Sequence, residues 1–158
     1  MALAASILLL LGIGLLLFPQ SAPLTSDRLV QEIFNLKQSD KITLGKMGGG
    51  ADELRTWLAD RGSPSDFTMP GGLAALGGIG CQTFTIDGHK VSLVCFMLDK
   101  DRVVHFFVMD SSGLDHPPGS EPEFILRGGL TAATWSAGGR TYVLTGKNVD
   151  EATLRRLI

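Results

Sequence analysis

The stretch from Cys81 to Met109, CQTFTIDGHKVSLVCFMLDKDRVVHFFVM, constrains the fold most. Outside the N-terminus it is the densest run of β-branched and aromatic residues in the chain, and such residues fit a pleated, half-buried surface. Two turn signals divide it. Asp87-Gly88 suits a tight hairpin, because both residues tolerate positive φ. Asp99-Lys100-Asp101-Arg102 is a polar, four-residue break. Three consecutive antiparallel strands are predicted, at roughly 81–86, 89–98 and 103–109.

The turns set an expected register. A two-residue turn at Asp87-Gly88 puts Ile86 opposite His89, Phe84 opposite Val91, Thr83 opposite Ser92 and Cys81 opposite Val94. Apolar then meets apolar on one face and hydroxyl meets hydroxyl on the other. A four-residue turn puts Leu98 opposite Val103, Cys95 opposite Phe106 and Phe96 opposite His105. The middle strand is apolar on both sides, with Val91, Leu93, Cys95 and Met97 on one and Val94, Phe96 and Leu98 on the other. A strand of that kind is covered on both faces. Cys81 and Cys95, the two cysteines of the chain, point to opposite faces in this register, so two buried free thiols are expected.

The chain has 158 residues, 19% of them charged, with net charge −2 and no basic stripe. Nothing in it suggests a nucleic-acid partner. Residues 2–18, ALAASILLLLGIGLLLF, carry no charge. As a helix they reach about 25 Å, close to the thickness of a hydrocarbon core. A cleaved signal would need a charged n-region and a small residue at −3; here the apolar run starts at Ala2, and Gln20 falls at −3 if Ala22 ends the signal. The expected organisation is therefore a transmembrane anchor at 1–19, a linker at 20–26 and an extracytoplasmic domain at 27–158. No Lys or Arg precedes the apolar run, so flanking charge assigns no orientation. That missing flank also fits a chain that starts partway through a longer protein.

The expected domain is α+β. A helix is predicted at about 27–38, where Leu29, Val30, Ile33, Phe34 and Lys37 form one stripe, and a second at about 51–61 around Leu54, Trp57 and Leu58. Residues 39–50 read as loop. The glycine-rich run Pro70–Gly80 lacks the spacing of a phosphate-binding loop and reads as chain lying close against the sheet. Residues 110–123 read as a mobile, proline-rich excursion. A second hairpin, Leu130–Ser136 and Arg140–Thr145, flanks Ala137-Gly138-Gly139. A last helix at about 149–158 is capped by Asn148 with Glu151 three residues on. The total is an antiparallel sheet of about five strands with two N-terminal helices and one C-terminal helix, preceded by a single transmembrane helix.

Few residues offer chemistry. His105, Cys95 and a methionine, Met97 or Met109, supply soft ligands of the kind copper or haem takes, but the register above separates Cys95 from His105. Asp110, Ser111, Ser112, Asp115 and His116 share one loop, a poor platform for a nucleophile, base and acid that must be held rigidly. Asp52 and Glu53 open a helix and suit its dipole. Asp99 and Asp101 are turn residues. Trp57 and Trp135 have apolar company and are expected to pack in the core. No catalytic, cofactor-binding or metal-binding residue is assigned.

The run Leu130–Thr145, with Trp135, Gly138, Gly139 and Tyr142, resembles the end of the extracytoplasmic domain of bacterial transmembrane anti-sigma factors. Trp57-Leu58, Pro64 and the strand Val104–Val108 resemble earlier parts of that domain, and Leu154 and Leu157 sit where its closing helix packs. The cytoplasmic sigma-binding part of that family does not precede the apolar segment here. The resemblance implies a non-catalytic regulatory or binding domain, held in the bacterial inner membrane by residues 2–18, with its C-terminal part on the extracytoplasmic side and a protein partner. The alternatives are a small secreted or periplasmic hydrolase, or a copper- or haem-binding module.

Overall fold

A computed structural model describes residues 23–38 and 42–158. The expected anchor lies outside the described residues. Among those described, no helix is long and apolar enough to cross a membrane.

Strands dominate. In chain order the elements are α1 (Ser26–Gln38), β1 (Lys46–Met47), α2 (Ala51–Ala59), α3 (Gly71–Ala74), β2 (Gly78–Ile86), β3 (His89–Met97), β4 (Val103–Asp110), a 3-10 turn (Ser111–Gly113), β5 (Glu123–Arg127), β6 (Leu130–Ala137), β7 (Arg140–Lys147) and α4 (Glu151–Leu157). The strands form one antiparallel sheet of seven, in the order β1-β2-β3-β4-β7-β6-β5. Two meanders thus join where β4 meets β7.

This corrects the expected five strands and three helices. The sequence reading missed β1, which adds only two residues to the edge of β2, and β5, which pairs with β6 along its whole length. The β5–β6 turn is Gly128-Gly129, at φ +57° and +76°. The same geometry recurs at Gly138-Gly139 (+58°, +76°) and Asp87-Gly88 (+48°, +84°), as two-residue hairpin turns require. Phe124-Ile125-Leu126 is therefore one arm of a third hairpin. The extra helix, α3, is a single turn inside the glycine-rich run. Helix α4 is capped by Asp150, whose carboxylate accepts from Thr153 N at 2.8 Å. Asn148, the expected cap, instead sits at φ +57° two residues earlier.

The β2–β3 register matches expectation: Ile86↔His89, Phe84↔Val91, Thr83↔Ser92 and Cys81↔Val94. The β3–β4 register does not. Met97, not Leu98, lies opposite Val103, and Cys95 lies opposite His105. The connection holds five residues rather than four because Asp99 closes it locally. Its carboxylate accepts from Asp101 N (3.2 Å), Arg102 N (3.1 Å) and Arg102 Nε (2.7 Å), while Leu98 N donates to Arg102 O at 2.9 Å. One residue of slip reverses which side chains share a face. It brings Cys95 and His105 onto the same face.

Each face of the sheet carries a core. On one, α2, α3 and α4 bury Leu54, Leu58, Leu73 and Leu154 against Cys81, Val94, Phe106 and Leu144. On the other, α1 lays Leu29, Val30, Ile33 and Phe34 on Val91, Leu93, Phe107 and Val143. The doubly apolar strand β3 is covered twice, as its composition demands.

Two segments read as loose are held. Leu24, expected in a linker, is 5% exposed and belongs to the α1-side core. The proline-rich excursion is pinned by buried Leu114, by Asp115 N donating to Leu24 O (3.0 Å) and by Ser136 N donating to Gly119 O (2.8 Å). Ser26 Oγ donates to His116 O (2.8 Å).

The glycine-rich run does allow a close approach. A Cβ on Gly72 would sit 2.5 Å from both Arg156 O and Leu157 Cα, which are backbone atoms and cannot rotate away. Gly72→Ala should therefore push α4 off the sheet and lower unfolding free energy by about 1–3 kcal/mol, measured by urea denaturation. An unchanged midpoint would show that α4 yields freely.

A cleft at the end of helix α1

Helix α1 ends at Gln38 before the sheet does. Beyond its last turn the sheet's α1 face opens into a cleft of about 660 Å3, lined by Lys37 and Gln38, Ile42, Leu44, Ile79 of β2, Cys95 of β3, Val103 and His105 of β4, the Gly128-Gly129 turn, Leu130 of β6, and Lys147-Asn148 at the end of β7. Antiparallel alternation brings these strand ends to one end of the sheet. The volume is that of a small-molecule site.

Register sets Cys95 and His105 side by side on the cleft wall, in a row that continues across the sheet to Thr145 on β7 and Ala132 on β6. Lys37, the last residue of the α1 stripe, reaches down so that its Nζ lies 3.0 Å from His105 Nδ1. An ammonium only donates, so Nδ1 accepts and the imidazole proton sits on Nε2.

The electrostatics follow from burial. Desolvation, and then the Lys37 charge, push the His105 imidazole down to about 3, against a weaker opposing effect of the Val103 backbone. It is neutral throughout the physiological range. Burial also lowers Lys37; nearby Cys95 opposes this and Lys147 adds to it. The Cys95 thiol is pushed up to about 12 by burial, with Lys37 pulling the other way. Among the described residues, no carboxylate lines the cleft.

That pattern suits recognition better than reaction. Moving a proton from a thiol near 12 to an imidazole near 3 costs on the order of 10 kcal/mol. A protonated thiol is neither nucleophile nor metal ligand. The copper or haem reading loses its geometric objection, since Cys95 and His105 are now neighbours. Its donor set still does not assemble: the Lys37 ammonium takes Nδ1, Met97 is 42% exposed, and Met109 lies four residues along β4 from His105. Among the described residues no three His, Cys, Asp or Glu side chains gather as a metal would need.

The remaining candidate residues are occupied elsewhere. Ser111 Oγ and Ser136 Oγ each lie 2.9 Å from Thr141 Oγ1. Asp110 pairs with Arg140. Asp115 holds His116 Nδ1 at 3.0 Å, with the imidazole side chain 86% exposed. The loop therefore assembles no Ser-His-Asp arrangement. Asp52 pairs with Arg55 and Glu53 with Lys46. Trp135 is buried and stacks on Tyr142 with 5.2 Å between centroids, and the Arg61 guanidinium lies 3.6 Å from the Trp57 ring centroid. A second cavity of about 490 Å3 on the opposite face is walled by Leu54, Phe67, Leu76 and Phe96 with Arg55, but that guanidinium already serves Phe67 O (3.0 Å) and Asp52 (3.7 Å).

The sequence reading missed Lys37 and Lys147 as cleft residues. Lys37 had a signal, a charged residue on an otherwise apolar stripe. Compared with protein families, curated proteins and solved structures, the chain matches none.

Proposed function

We propose that this chain is a non-catalytic binding domain whose cleft recognises a small organic anion with an apolar body. One observation carries the reading: Lys37 and Lys147 line a cleft whose described lining residues include no carboxylate, and Lys37 Nζ rests 3.0 Å from a neutral imidazole. A partly buried ammonium without a counter-charge is costly, and a ligand carboxylate supplies that charge. Ile42, Leu44, Ile79, Val103 and Leu130 offer the apolar wall. The high thiol and the weakly basic imidazole support binding without turnover.

This agrees with the regulatory role expected from the sensor-domain resemblance without depending on it. Residues 2–18 would tether the domain to lipid on the extracytoplasmic side, which fractionation with protease accessibility tests directly. A protein partner would then respond to cleft occupancy through α1, the first described element and one wall of the cleft.

Hexanoate is a suitable probe, with hexylammonium as the control. Calorimetric titration should show binding of the carboxylate alone, weakened at least about tenfold by Lys37→Met through loss of one charge-assisted contact. Equal affinity for both probes, or an affinity indifferent to Lys37, would remove the anion reading.

A further inference from the structure

The two ends of the sheet differ. Strand β1 is two residues long and carries Lys46, devices that protect an edge. Strand β5 is five residues, Glu123-Phe124-Ile125-Leu126-Arg127, in unbroken register with β6 and without Pro or Lys. Its outer side pairs with no strand among the described residues, and Leu126 is 75% exposed.

The β6 register fixes what that edge offers. In a hairpin with a two-residue turn the flanking pair, here Arg127 and Leu130, exchanges both backbone hydrogen bonds, and bonded positions then alternate. Arg127, Ile125 and Glu123 therefore bond inward to β6. Phe124 and Leu126 turn their N–H and C=O outward.

We propose that β5 pairs antiparallel with β5 of a second copy of this chain, about a two-fold axis through Ile125. That register makes Phe124 and the second copy's Leu126 the bonded pairs, which are the residues whose backbone faces out. It also sets Glu123 of each copy against Arg127 of the other, so both charged ends are complementary and no like charges meet. Shifting the axis to Phe124 or Leu126 keeps the outward residues in the bonded positions but sets Glu123 against Ile125 or Gly129 of the other copy instead of Arg127, and the first shift also places Pro122, which has no N–H, opposite Leu126. The pairing covers Leu126 with the Phe124 ring of the other copy and joins two seven-stranded sheets into one. Arg127 Nη1 already donates to Gln31 Oε1 of α1 at 2.6 Å, which steadies the side chain on the face where the second copy's Glu123 arrives.

The test uses the full chain, solubilised in detergent, by sedimentation and disulfide trapping. Wild type should sediment as a dimer. Glu123→Arg, or Arg127→Glu, should halve the mass, and the double swap Glu123→Arg with Arg127→Glu should restore it. Ile125→Cys lies on the axis, where facing Cα atoms of a non-bonded pair are about 4.5 Å apart, and should form an intermolecular disulfide on oxidation. A monomeric wild type, a dimer insensitive to either single reversal, or no rescue by the swap would overturn the proposal. A dimer made through residues 2–18 would ignore the charge changes and is thereby distinguished.

Discussion

Lowering the pH from about 7 to about 4.5 should cost the wild-type chain about 2–3 kcal/mol more stability than it costs a His105→Gln variant. In the unfolded chain the imidazole protonates near its ordinary value of about 6.5. In the folded chain burial and Lys37 hold it down at about 3. Between those values the unfolded state carries one more proton than the native state. Stability is therefore unaffected by this group above the unfolded value, and falls by up to about 1.4 kcal/mol per pH unit below it. The groups that face His105 are Lys37 from α1, Cys95 from β3 and Lys147 from the end of β7. None of these is a carboxylate, so among the described residues acidification gives the ring no compensating partner. Glutamine keeps an acceptor for Lys37 and cannot titrate. Urea unfolding of both proteins across this range checks the difference, and parallel curves would mean that His105 is solvated in the folded chain. An added organic anion should flatten the wild-type curve, because its charge offsets that of Lys37.

How far the sequence reaches is visible in two adjacent hairpins. Asp87-Gly88 names its own turn, since both residues tolerate positive φ, and the β2–β3 register from Ile86 back to Cys81↔Val94 followed from it, though the start of β2 at Gly78 and the register shift between Gly78 and Gly80 did not. The next turn offered no such dictation. Asp99-Lys100-Asp101-Arg102 reads as four polar residues, and the real loop takes in Leu98 because the Asp99 carboxylate binds Asp101 N, Arg102 N and the Arg102 side chain. That one residue decides whether Cys95 and His105 are neighbours, and so whether a site exists at all. Lys37 was visible on its helical stripe, but its partner was not, being 68 residues away across a register known only after folding. Strand β5 was hidden for a different reason. Its five residues follow a proline-rich stretch, and Gly128-Gly129 reads as loop until its paired positive φ values make it a hairpin turn.

Phe106→Ala should lower unfolding free energy by about 3–5 kcal/mol, the usual range for emptying a fully buried aromatic site. Phe106 is 0% exposed at the middle of β4, the central strand of the sheet. Its ring stacks on Tyr142 at 5.4 Å and 8°, meets Trp135 at 6.2 Å, and takes Phe67 edge-on at 5.8 Å. Its neighbour Phe107 is as deeply buried, at 1%, but points into the α1-side core, where its recorded ring contact is Phe84 at 6.5 Å. Phe107→Ala should therefore cost about 1–2 kcal/mol less, since each aromatic pair adds about 0.5–1.5 kcal/mol beyond area. The two substitutions also separate the layers functionally. Phe106 and its aromatic partners lie on the face away from the cleft, so Phe106→Ala should leave anion affinity in place while the protein remains folded. Phe107 shares its face with Cys95 and the cleft floor, and loosening it should weaken binding along with stability. Denaturation and carboxylate titration on the same preparations distinguish these outcomes; equal loss of binding in both variants would mean that the sheet, rather than one of its faces, carries the site.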